Sequence, residues 1–146
     1  MTALGGFSSG DVLTAADLNA IGTWTSYTPA LEASGTDPTY STAAGSYYEM
    51  NEIVFVRAEI SGFTSAGSGT YYLTMPTDID NDTFPIAYGL YADGTTRYPI
   101  IGAKSGSGAR RVFFVATHDQ DNVTSTDPFV PGAADSLTAT VIYKKA

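Results

Sequence analysis

The sequence predicts an all-β protein: an antiparallel, jelly-roll-like β-sandwich of about eight strands, preceded by one short N-terminal helix. Composition supplies the first reason. With 15 Gly, 7 Pro and 10 Tyr in 146 residues, and only 15% charged residues, strands and turns are favoured over helices. The second is patterning, because from Thr23 onward short apolar runs alternate with turn residues at the spacing of a sandwich or barrel. The third is that the first 22 residues alone carry helix-start signals. A chain of this length fits a single core, so no second globular domain is needed.

In the N-terminal segment, Thr14 followed by Asp17 matches a capping box, with the carboxylate near the positive end of a helix. Leu13 and Leu18 occupy hydrophobic-staple positions and Gly22 is a helix stop, which places a helix over about Ala15 to Ile21. Two turns of helix do not hold alone in water. Leu13, Leu18 and Ile21 are therefore the candidate attachment residues, docking on the chain's own sandwich, on sister subunits or on another protein. Residues 1–22 form an attachment segment and residues 23–146 the β-domain.

Strands are predicted over 23–31, 45–50, 53–62, 70–75, 84–92, 95–103, 110–118 and 136–145. Asn51-Glu52 links the second to the third, and Asp93-Gly94 is a two-residue hairpin turn because both positions tolerate positive φ. In the third strand Val54, Val56, Ala58 and Ile60 share one face while Ile53 and Phe55 lead the other. Val112-Phe113-Phe114-Val115 is likewise apolar on both faces. A sandwich normally leaves one face of each sheet wet, so these strands call for a cover: a subunit interface, or the N-terminal segment or a long loop. Loops are expected over 32–44, 76–83, 104–109 and 119–135; the last, with Pro128, Pro131 and Gly132, is too long for a tight turn and is either functional or mobile.

The net charge is −8 and the pI about 4.2, which opposes binding to nucleic acid. Six carboxylates (Asp11, Asp17, Glu32, Asp37, Glu49, Glu52) precede the first cation, Arg57. Such asymmetry fits either a solvated acidic surface or head-to-side contact between copies. Without cysteine there are no disulfides or thiolate metal sites. The opening Met1 to Phe7 lacks the pattern of a secretory signal, and no run approaches the length of a membrane span, so synthesis in a cytoplasm without membrane insertion is expected. The triplets Asn81-Asp82-Thr83 and Asn122-Val123-Thr124 then carry no glycosylation meaning.

Catalytic machinery is hard to assemble from these residues, and an enzyme is not expected. His118 is the only histidine, beside Asp119 and Asp121 at a strand end. Gly6-Phe7-Ser8-Ser9-Gly10 has nucleophile-elbow spacing but neither a preceding strand nor a following long helix. Paired carboxylates for glycoside hydrolysis are available by number, yet a sandwich this small has little material for a deep cleft. Asp78-Ile79-Asp80-Asn81-Asp82 alternates oxygen ligands, but Thr83 stands where a calcium loop has Gly and Gly89 where it has its bidentate acid. No catalytic, cofactor or metal residue is assigned. Gly67-Ser68-Gly69 and Gly106-Ser107-Gly108 lead into no helix with a lysine and read as turns. Tyr47-Tyr48 and Tyr71-Tyr72 should each put one ring in the core and one outside. Tyr88, Tyr91 and Tyr98, flanking the Asp93-Gly94 hairpin, are candidate receptor-contact residues, with Asn122 and Thr124 in the long loop.

The run Phe7-Ser8-Ser9-Gly10-Asp11-Val12-Leu13-Thr14-Ala15-Ala16-Asp17-Leu18-Asn19, continued by Gly22-Thr23-Trp24-Thr25-Ser26-Tyr27-Thr28-Pro29, resembles the opening of minor tail and fibre-type proteins of tailed bacteriophages, especially those of actinobacteria. Asn51 to Ile60, followed by Gly69 to Pro76, is similar to a strand pair of the same group. The resemblance implies a virion component made in the host cytoplasm, often a homotrimer, whose N-terminal segment binds other virion proteins and whose β-domain faces outward. Long shafts and collagen-like repeats of such proteins are missing here, so a compact knob is expected. Two roles follow: a receptor-binding or minor tail protein contacting the host surface, with a cell-surface glycan as a candidate partner, or a capsid decoration protein clamping major capsid subunits.

Overall fold

A computed structural model describes residues 23–80, 82, 84–104, 110–117 and 119–146, the side chains of residues 103 and 104 excepted. The predicted helix with Leu13, Leu18 and Ile21 lies outside the described residues, as does His118. All regular elements described are strands: β1 (Thr25–Tyr27), β2 (Leu31–Ala33), β3 (Thr39–Met50), β4 (Ile53–Ser65), β5 (Tyr71–Thr74), β6 (Ile86–Asp93), β7 (Thr96–Lys104), β8 (Arg111–Ala116) and β9 (Ser136–Lys144).

The regular structure of the described residues is all β, and the two packed sheets of a jelly roll are not seen among these strands. They form one antiparallel sheet in the order β1-β3-β4-β9-β6-β7-β8-β5-β2. Its two edge strands, β1 and β2, are joined by only Thr28, Pro29 and Ala30. Nine flat strands would span about 38 Å, whereas this link reaches at most about 14 Å. The sheet must therefore curl, which brings its two edges within that reach. Thr74 of β5 holds the link by continuing the β2–β5 ladder: the Ala30 N–H donates to its Oγ1 at 2.8 Å, and its own N–H donates to the Ala30 carbonyl at 2.9 Å.

Departures from the expected strands have local causes. The strand expected over 23–31 is divided at Pro29, which offers no N–H to a ladder. The loop expected over 32–44 shrinks to residues 34–38, because Glu32 and Ala33 belong to β2 and residues 39–44 to the first half of β3. Its Ser, Thr, Ala and Gly residues show no apolar alternation, and β3 is held extended by its pairing with β4, from Thr39↔Ser65 to Met50↔Ile53. Asn51-Glu52 turns as expected, with Asn51 at φ 56°. The second hairpin slips by one residue: Asp93 pairs with Thr96, so Gly94-Thr95 form the turn and Gly94 supplies the positive φ, 51°.

The curl encloses one core. Val54, Val56, Ala58 and Ile60 of β4 face inward, as the alternation predicts, and meet Leu137, Ala139, Val141 and Tyr143 of β9. Val112, Phe114 and Ala116 of β8 with Tyr71 and Leu73 of β5 close the other wall. Burying each Val, Leu, Ile or Phe contributes roughly 1.5–3 kcal/mol. Tyr71 goes in and Tyr72 stays half out, as expected of a tyrosine pair on a strand. On β7 the inner face carries Gly102; a Cβ there would overlap the Ala87 methyl and fall 2.8 Å from Val112 Cγ1.

The 119–135 segment is built into this core. Val123, fully buried, donates its N–H to the Phe114 carbonyl and accepts at its own carbonyl from the Tyr71 N–H, so it bridges the diverging ends of β8 and β5. Part of the uneven charge of the sequence is paired inside the fold. Glu32 pairs with Arg111 at 2.9 Å, Glu49 with Lys145 at 2.6 Å and Glu52 with Lys144 at 3.6 Å, joining early acids to late cations. Such partly exposed pairs add little stability each. They do, however, leave these three acids with partners inside their own chain.

Candidate functional site

The outer face of the curled sheet carries the residues that the core does not use. Because side chains alternate, the register of β3, β4, β9, β6 and β7 sorts their outward residues into rows. One row runs Tyr48–Phe55–Ile142–Ile86 through the pairs Tyr48↔Phe55, Phe55↔Ile142 and Ile86↔Ile142. The next runs Ser46–Arg57–Thr140–Tyr88–Ile101, and a third runs Ala44–Glu59–Thr138–Leu90.

The first row is apolar along its whole length. Trp24 extends it beside β1, its ring centroid 6.3 Å from that of Tyr48, and Tyr48 stacks on Phe55 at 6.0 Å. Ile86 is 72% exposed, and Phe84, two residues before it, is 88% exposed. Met50 and Ile53, a registered pair, add apolar surface at the same end of β3 and β4. Scattered apolar residues are ordinary on a protein surface, whereas this row is continuous across neighbouring strands. It also accounts for Ile53 and Phe55, whose outward direction the sequence already required.

The second and third rows are mostly polar and small, and they line a shallow groove of about 600 Å³. Thr138 and Thr140 of β9 form its floor, Arg57 and Glu59 of β4 stand on one side, and Tyr88 and Leu90 of β6 on the other. Among the described residues, Arg110, Arg111, Lys144 and Lys145 each pair with a carboxylate of the chain. Arg57 and Glu59, like Arg97 of β7, enter no such pair among the described residues. Nothing in the sequence singles them out, since alternation gives only their outward direction.

The five receptor-contact candidates are not brought together. Tyr88 is 65% exposed in the groove. Tyr91, expected at the surface, is completely buried; it faces inward because it lies three residues from Tyr88 on the same strand. Burial, with Tyr71 beside it, pushes its phenol far above the ordinary tyrosine range. Tyr98 is half-buried against Phe129, at 5.4 Å between centroids. Asn122 is exposed, and the Thr124 hydroxyl accepts from the N–H groups of Thr126 and Asp127. In the acidic stretch, Asp78 pairs with Arg110 at 2.8 Å and Asp80 with Lys144 at 2.9 Å, while Asn81 lies outside the described residues.

Comparison with protein-family models, with curated proteins and with solved structures returned no match.

Proposed function

We propose that this chain is a structural protein of a tailed-bacteriophage particle, a minor tail or receptor-binding knob that assembles as a homotrimer. The observation that carries the assembly part is the apolar row from Trp24 to Ile86 on the outside of a sheet whose other face already holds the core. Copies of a chain with net charge −8 repel one another, and contact through this uncharged row brings no like charges together. The phage assignment rests on the run from Phe7 to Pro29, which resembles the opening of such tail proteins.

In this reading the segment 1–22, through Leu13, Leu18 and Ile21, joins the knob to other virion proteins, and the described β-domain is displayed. Electron microscopy of intact particles tests it: density for this chain at the tail tip is the expected result, and particles lacking the chain would overturn it. A capsid decoration protein is the second reading, favoured by the absence of any shaft among the described residues. Density on the capsid surface would select it. Capsids without the chain would then lose resistance to heat or osmotic shock, whereas loss of a receptor-binding knob would slow adsorption.

A further inference from the structure

We infer that the groove between β4 and β6 on the outer face is a saccharide-binding site. This rests on the receptor-binding reading and gives it a ligand class. The walls are separated by β9 alone and so stand about 9–10 Å apart, enough for a sugar ring between them. On one wall the Tyr88 ring is 65% exposed, an aromatic surface for the C–H face of a pyranose. On the other stand a guanidinium, which only donates, and a carboxylate, which only accepts. Vicinal sugar hydroxyls do both, and the Thr138 and Thr140 hydroxyls on the floor can serve either role.

The meeting of Arg57 and Glu59 in one groove is the feature that points to a ligand. Arg110, Arg111, Lys144 and Lys145 are paired with carboxylates of this chain and Arg97 lies on β7 away from the groove, whereas Arg57 and Glu59 share the groove, carry opposite charge and form no ion pair. Their presence together fits a neutral, hydroxyl-rich ligand better than an anion or a cation. An extended peptide added as a strand is disfavoured, because β9 beneath the groove is paired on both sides, with β4 and with β6.

The test is saturation-transfer NMR on the full chain with methyl glycosides of glucose, galactose, mannose, arabinose, rhamnose and N-acetylglucosamine. At least one is expected to receive saturation, and Tyr88→Ala and Glu59→Gln should each weaken its binding about tenfold, the scale set by one stacked ring or one charged hydrogen bond. Both side chains point away from the core, so the variants should melt with the parent. A panel without any saturated sugar overturns the inference, as does binding undiminished in the double variant. Particle imaging and mass measurements bear separately on the virion reading. A trimeric particle protein that binds no sugar would refute the groove alone, and a sugar-binding chain absent from particles would refute the virion assignment alone.

Discussion

Tyr91 of β6 and Phe129 of the 119–135 segment stack with ring centroids 4.3 Å apart and planes 29° from parallel. Phe63 and Tyr71 meet the same tyrosine edge-on, each at 6.4 Å, so Phe129 completes a cluster drawn from four parts of the chain. Long segments without regular structure are often mobile, but this one is anchored. Phe129→Ala should cost about 2 kcal/mol, a drop in Tm of roughly 4–8 °C, because a half-buried ring is lost from a packed cluster. Thermal melts of parent and variant measure it. An unchanged Tm would mean the segment packs loosely.

Asp135 closes the same segment. Its carboxylate accepts from the Gly94 N–H at 2.9 Å and from the Gly132 N–H at 2.6 Å, while its own carbonyl accepts from the Gly62 N–H at 3.2 Å. One buried side chain thus ties the β6–β7 turn to the entry of β9. Asp135→Ala leaves two backbone donors without their acceptor and should cost about 2–4 kcal/mol. Limited proteolysis should then cut the 128–135 stretch faster than in the parent.

The interior phenols make stability fall in alkali. Burial raises Tyr71 to about 12, and burial raises Tyr27, Tyr91 and Tyr143 as well. In the unfolded chain these groups ionise near 10, so above that pH the unfolded state binds fewer protons than the folded one. Their contribution is complete below pH 10 and is lost as pH rises through the raised folded values. Urea midpoints should hold steady to about pH 10 and then fall steeply, with phenolate absorbance from the buried rings appearing only on unfolding. Midpoints that stay level to pH 12 would contradict the burial of these hydroxyls.

Much of this architecture is legible in the residues, and the remainder fails for a physical reason. Alternation gives the inward set Val54, Val56, Ala58 and Ile60 and the outward Ile53 and Phe55, because period two is a property of the strand itself. The turn at Asn51-Glu52 is equally local. Pairing between distant strands is not: nothing in Ser136–Lys144 says that β9 inserts between β4 and β6, and that insertion is what creates both the apolar row and the groove. Tyr88, whose place beside a turn makes it a candidate for a contact role, lines the groove. Tyr91, chosen on the same ground, is core, since proximity to a turn says nothing about which face a side chain occupies. Arg57 and Glu59 become visible only when the curled sheet shows which outward residues share the groove.

In the proposed trimer the apolar outer row is covered by copies of the same chain. Light scattering on the full chain at micromolar concentration reads this as a mass. Three times 15.3 kDa is expected. Replacing two outward residues of the row, Phe55→Asp together with Ile86→Asp, should reduce the mass to 15.3 kDa, with the melt retained because Ile86 is 72% exposed and neither residue belongs to the core. A parent protein of 15.3 kDa, or a trimer that survives both substitutions, would contradict the claim.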